Sequence, residues 1–172
     1  MSRAFLKNES ADDPVVIPAR APLPTGVTNY VTPRGLALLR QELAGLEAER
    51  VQVQLAETDE TERTRQLALI NGKVGALNQR IATANVIDPA TQPPDEVRFG
   101  ATVTLRPQTG PDRHLTIVGV DEADAAQGRI AFTAPIARAM QGKRVGDTVV
   151  LRTVRGEDRL VITAIQYVSA PE

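Results

Sequence analysis

The chain has 172 residues, enough for one ordinary domain or two small ones, and its formal net charge of −1 leaves no overall basic field to draw it to nucleic acid or a membrane surface. It has no cysteine and one histidine, His114, which exclude a disulfide framework, thiolate chemistry and most histidine-built metal sites. Aromatics are 3% with no Trp, which argues against a stacking surface for single-stranded nucleic acid. No apolar run approaches the ~18 residues of a membrane helix, and no signal-peptide pattern precedes the first helix, so a soluble cytoplasmic protein is expected.

Residues 1–31 are polar, carry Pro14, Pro18, Pro22 and Pro24, and show no period of 2 or 3.6. They read as an extended, largely mobile arm. A helical hairpin is expected over 32–88. Its first helix, 33–57, starts on strong signals: Thr32 as N-cap, Pro33 at N1, and Val31 placed to staple onto Leu36. Apolar residues then recur in steps of three and four at Leu36, Leu39, Leu43, Leu46 and Val53, and again at Leu67, Ile70, Val74, Leu77, Ile81 and Ala84. That spacing is the a/d pattern of a coiled-coil seam. Between the two seams lies Glu57-Thr58-Asp59-Glu60-Thr61-Glu62, four carboxylates in six residues. One continuous helix would carry this block in mid-seam; two antiparallel helices place it at the turn. Asp59 with Glu62 three residues on resembles a capping box for the second helix, 60–85. The result is a rod of ~25 residues per helix, about 37 Å at 1.5 Å per residue, with a negative tip. Gly45, Gly72 and Gly75 inside it each cost about 1 kcal/mol relative to Ala.

Pro89, Pro93 and Pro94 make 89–96 a short stiff linker. From Val97 the period changes to 2, predicting strands over 97–106, 113–120, 129–133, 148–154 and 159–168. A helical turn or two, Ala134–Met140, stops at Gly142. Residues 97–172 are therefore expected to form an antiparallel sheet domain with one short helix, and the whole chain an α+β fold.

The run TPRGLALLRQEL, the hairpin ending in NVID, then VRFGATVTL, IVGVDEAD, TAPIARAMQGKRVGDTV and ITAIQY closely resemble the Gre family of bacterial transcript-cleavage factors over residues 30–168. The PIARAMQGKRVGD segment is the most specific part. The resemblance implies a coiled coil that enters the secondary channel of RNA polymerase. It also implies an acidic tip that helps hold a second Mg²⁺ at the polymerase active site, where backtracked RNA is hydrolysed. The C-terminal domain is implied to be FKBP-like, without prolyl isomerase activity, and to grip the channel rim. The partner is then RNA polymerase, with RNA and DNA met only through the elongation complex, no membrane, no cofactor beyond Mg²⁺ shared with the polymerase, and a monomeric state. This sequence departs from the family at the tip: nothing reproduces the Asp/Ser-Glu-Asn-x-Asp/Glu-Tyr-like motif, and the hairpin is nearly two heptads shorter. One heptad lost per helix shortens the reach by roughly 10 Å.

Two sets of residues are thereby singled out. Glu57, Asp59, Glu60 and Glu62 form the tip, whose bland reading is a solvated, helix-capping turn. Pro135, Ile136, Arg138, Met140 and Lys143 are the implied polymerase-binding surface, whose bland reading puts Ile136 and Met140 on the buried face of a small helix. His114 reads as a polar strand residue. Three functions compete: a regulator acting through the polymerase secondary channel, with or without stimulated cleavage; a prolyl isomerase, for which residues 95–172 offer only Phe99, Phe132 and Tyr167 as pocket aromatics; and a dimerising coiled-coil module. The first, without efficient cleavage, is expected.

Overall fold

The structure, a computed structural model, describes residues 14–168. Residues 1–13 of the expected arm lie outside the described residues. From Pro14 to Asn29 the chain has no regular structure. It enters strand β1 (Tyr30–Val31), then α1 (Pro33–Ala56) and α2 (Glu60–Ala82), and returns in β2 (Asn85–Val86). The two helices form the expected hairpin. Thr32 caps α1 by accepting from the Gly35 amide at 2.9 Å, with Pro33 at the first helical position. Asp59 caps α2 by accepting from the Glu62 amide at 2.8 Å. The reciprocal half of the capping box is supplied differently: the Asp59 amide donates to the Glu57 carboxylate at 3.0 Å.

The hairpin base is closed by a feature absent from the sequence reading. β1 and β2 pair in parallel, Tyr30 with Asn85 and Val31 with Val86. The Asn85 amide donates to the Asn29 carbonyl at 2.8 Å and the Ile87 amide to the Val31 carbonyl at 2.9 Å. This pairing ends α2 at Ala82, earlier than the expected 85. The last residues expected of the arm are thus structural.

Burial along the rod is uneven. Leu39, Ile70, Val74 and Leu77 are buried, all toward the base, while Leu43, Leu46, Val53 and Leu67 are only half covered. Near the tip Leu55 is 80% exposed. The glycines sort by what surrounds them. A Cβ at Gly72 would run into the side chain of Ile17 from the arm, whereas Gly45 and Gly75 face open space. Gly45→Ala and Gly75→Ala are therefore expected to stabilise the rod by up to about 1 kcal/mol each, through helix propensity alone. Gly72→Ala should gain less, because Ile17 must move; thermal melts of the three variants check the order.

The rest of the chain builds one five-stranded sheet from β3 (Thr102–Pro107), β4 (Arg113–Val118), β5 (Arg129–Ala131), β6 (Thr148–Thr153) and β7 (Gly156–Gln166), with α3 (Pro135–Met140) between β5 and β6. The order is β5-β4-β3-β7-β6. Three pairings are antiparallel, but β4 and β5 run parallel, so the sheet is mixed rather than wholly antiparallel. The loop from Gly119 to Gly128 carries the chain back to start β5 beside β4 in the same direction. A bulge at Thr104/Leu105 shifts the β3–β7 register. Residues 97–101, expected as strand, are not: Val97 pairs its amide and carbonyl with Lys143 and Gly142 behind α3, and Gly100 turns at φ +89°. Val103, Leu105, Ile117, Val149 and Ile162 form the core with Met140 of α3.

The sheet domain meets the hairpin through the loop after β4. Asp121 pairs with Arg80 of α2 at 2.9 Å and with Arg20 of the arm at 3.1 Å. Glu122 pairs with Arg34 of α1 at 2.8 Å and accepts from the Thr32 hydroxyl. Gly35 permits this approach, since a Cβ there would lie 2.9 Å from the Glu122 carboxylate.

Candidate functional site

The four tip carboxylates do not share one role. Glu57 is the C-cap of α1; its carboxylate takes the Asp59 amide and its carbonyl takes Arg63 at 3.3 Å. Asp59 is spent on capping α2. Glu62 accepts from the Gln66 amide at 2.9 Å and pairs with Arg65 at 3.4 Å. Only the Glu60 carboxylate is free of hydrogen bonds and ion pairs among the described residues. No group of three or more His, Cys, Asp or Glu converges on a metal position among the described residues.

The Gln66 hydrogen bond, with a smaller contribution from Arg65, holds the Glu62 carboxyl below its ordinary value. A carboxyl whose folded pKa is lowered stabilises the fold above its unfolded pKa, and that stability is lost as pH falls through the lowered value. Gln66→Ala should move the Glu62 midpoint back up toward the ordinary glutamate range, read from its carboxyl chemical shift in a pH titration.

Around α3 the singled-out residues divide. Pro135 and Arg138 are exposed, and Ile136 and Lys143 half-buried. Met140 is 0% exposed and plugs the core, so its side chain is unavailable for the contact the resemblance implied. The i,i+4 spacing that marked it as core-facing was the informative signal. Arg138 and Lys143 have no carboxylate partner among the described residues.

Beside α3 opens a cleft of about 440 Å³ that no single stretch of sequence displays. Its wall is a cluster of three rings: Tyr30 to Phe99 at 5.8 Å, Tyr30 to Phe132 at 5.5 Å, and Phe99 to Phe132 at 5.7 Å, the last two edge-on. Pro24 and Val27 of the N-terminal segment and Arg138 complete the rim. The sheet domain's aromatics are thus joined by one from β1, some 70 residues upstream of Phe99 by numbering. His114 sits on β4 and shares a 3.1 Å hydrogen bond with the Thr104 hydroxyl, as befits a polar strand residue.

Residues 92–167 match the family described as transcription elongation factor, GreA/GreB, C-terminal. The chain is 34% identical over 158 aligned positions to transcription elongation factor GreB of Neisseria meningitidis serogroup B, covering 84% of this chain and 97% of that protein. It is 33% identical over 152 positions to transcription elongation factor GreA of Brucella canis, covering 80% and 97%. Among solved structures it is similar to a GreA/GreB elongation factor from Nitrosomonas europaea, with 21% identity, 80% and 98% coverage, and a TM-score of 0.41. No described helix is long and apolar enough to cross a membrane.

Proposed function

The chain belongs to the GreA/GreB family of transcription elongation factors, non-enzymatic cofactors of RNA polymerase, and from that premise we propose that it regulates elongation through the polymerase secondary channel without efficiently stimulating RNA cleavage. The sheet domain docks, with Arg138, Lys143 and the aromatic cleft facing the polymerase. The rod enters the channel, and nucleic acid is met only there.

One observation carries the reading: three of the four tip carboxylates are tied into caps and side-chain bonds, leaving Glu60 alone unengaged. Stimulated cleavage needs a carboxylate within ~2.0–2.1 Å of Mg²⁺ in a defined geometry. Blocking or repelling phosphates needs only bulk and charge. The shorter rod that the sequence resemblance implies points the same way. Both relatives align over more positions than the share of this chain they cover supplies, so each carries residues that this chain lacks.

The test is a backtracked elongation complex with Mg²⁺, comparing the parent with a variant bearing Glu57→Gln, Asp59→Asn, Glu60→Gln and Glu62→Gln. The parent is expected to leave the RNA length unchanged over the polymerase's own slow rate. It should also inhibit nucleotide addition in a way that fades with salt and weakens in the variant. Rapid shortening of the RNA by the parent, lost in the variant, would establish the alternative of a true cleavage-stimulating factor.

A further inference from the structure

The joint between rod and sheet domain combines apolar packing at the hairpin base, where Tyr30 and Ile87 lie against the sheet core, with a cluster of charged ties beside it. The buried cluster of the sheet domain contains no residue of α1 or α2. The helices themselves add nothing to that core, so the orientation of the rod depends on the ties beside it. Here two separate segments converge on one largely buried carboxylate, Asp121, whose side chain is 7% exposed. Arg80 reaches it from α2, and Arg20 reaches it from the N-terminal segment. Arg20 does more than neutralise. Its guanidinium forks, giving Nη1 and Nη2 to both oxygens of Glu42 on α1 at 2.7 and 3.0 Å while Nε and Nη2 face Asp121 at 3.3 and 3.1 Å. Arg80 in turn donates to the Ala21 carbonyl at 2.6 Å, fastening the backbone next to Arg20. Further along the rod, Ile17 fills the notch left by Gly72. The segment therefore lies along the rod as a strap, bridging α1, α2 and the loop after β4 in one crossing.

We infer that Arg20 is a positioning residue: through its fork between Glu42 and Asp121 it sets the angle between the coiled-coil rod and the sheet domain. Glu122 with Arg34 and Thr32 forms a second tie on α1, so that the two ties resist rotation where one would act as a pivot. A rod held at one angle loses less orientational freedom when a partner accommodates both units at once. This assignment concerns the free protein and is independent of what the sheet domain docks to.

The chain has no cysteine of its own, so two can be introduced for spin labels in the full-length protein, Ala56→Cys near the tip and Val154→Cys on the fully exposed β6–β7 turn. The labelled parent is expected to give one narrow distance distribution. Arg20→Ala and Asp121→Asn should each broaden it at a temperature well below the melting transition of either variant, with helical content unchanged, a combination that a merely structural role would not produce. Coincident distributions for the parent and both variants would overturn the proposal. Broadening by Asp121→Asn alone would assign the tie to Arg80 and overturn the role given to Arg20.

Discussion

Leu77→Ala is expected to cost about 2–5 kcal/mol, and Leu39→Ala a comparable amount, because both side chains are wholly enclosed where the hairpin meets its base. Against a typical total stability of about 5–15 kcal/mol, the pair together would leave the hairpin marginal. Leu43→Ala, on the same seam but half exposed, should cost clearly less, since part of its surface already faces water. Urea denaturation followed by helical signal measures all three. Equal losses at Leu43 and Leu77 would mean that the seam is uniformly packed along its length, contrary to the burial described above.

Met140→Ala and Arg138→Glu, two residues apart on α3, are expected to separate folding from docking. Met140 touches the sheet core at 0% exposure, so truncation opens a cavity and should cost about 2–5 kcal/mol. Arg138 is exposed on the rim of the aromatic cleft, and surface substitutions of that kind usually change stability by about 0.5 kcal/mol or less. Charge reversal there should instead weaken competition with the parent protein for core RNA polymerase, most visibly at low salt, where exposed charges are least screened. Unaltered competition by Arg138→Glu would move the docking surface away from this face.

What could be read in the sequence follows from how local its cause is. The hairpin was legible because caps, seam spacing and an acidic break all lie within a turn or two of the residues they govern. The alternation marked the strands, β5 included, but not that β5 runs parallel to β4, which depends on how a ten-residue loop closes. Residues 97–101 have the composition of a strand, but backbone bonds to Gly142 and Lys143 draw them elsewhere. The aromatic cleft and the joint escaped notice for a related reason. Tyr30, Phe99 and Phe132, or Arg20, Arg80 and Asp121, are unremarkable one at a time and acquire a role only through contacts 30 to 100 residues apart in sequence. Proline content made the N-terminal segment look like a free arm. Its arginine and isoleucine, the residues that anchor it, carry no periodic signal.

The falling burial along the rod implies a gradient in how easily its backbone opens. Near the base, breaking the helical hydrogen bonds also exposes Leu39, Ile70, Val74 and Leu77 and unzips the β1–β2 clip, so opening there approaches the cost of unfolding the whole hairpin. In the outer half no side chain is buried between Leu39 and Ile70, and the helix ends rest on caps worth about 1 kcal/mol each. Those outer turns belong to the low-stability end of the molecule. Amide hydrogens there are expected to exchange with solvent well before those of the base, a stiff shaft with a softer end.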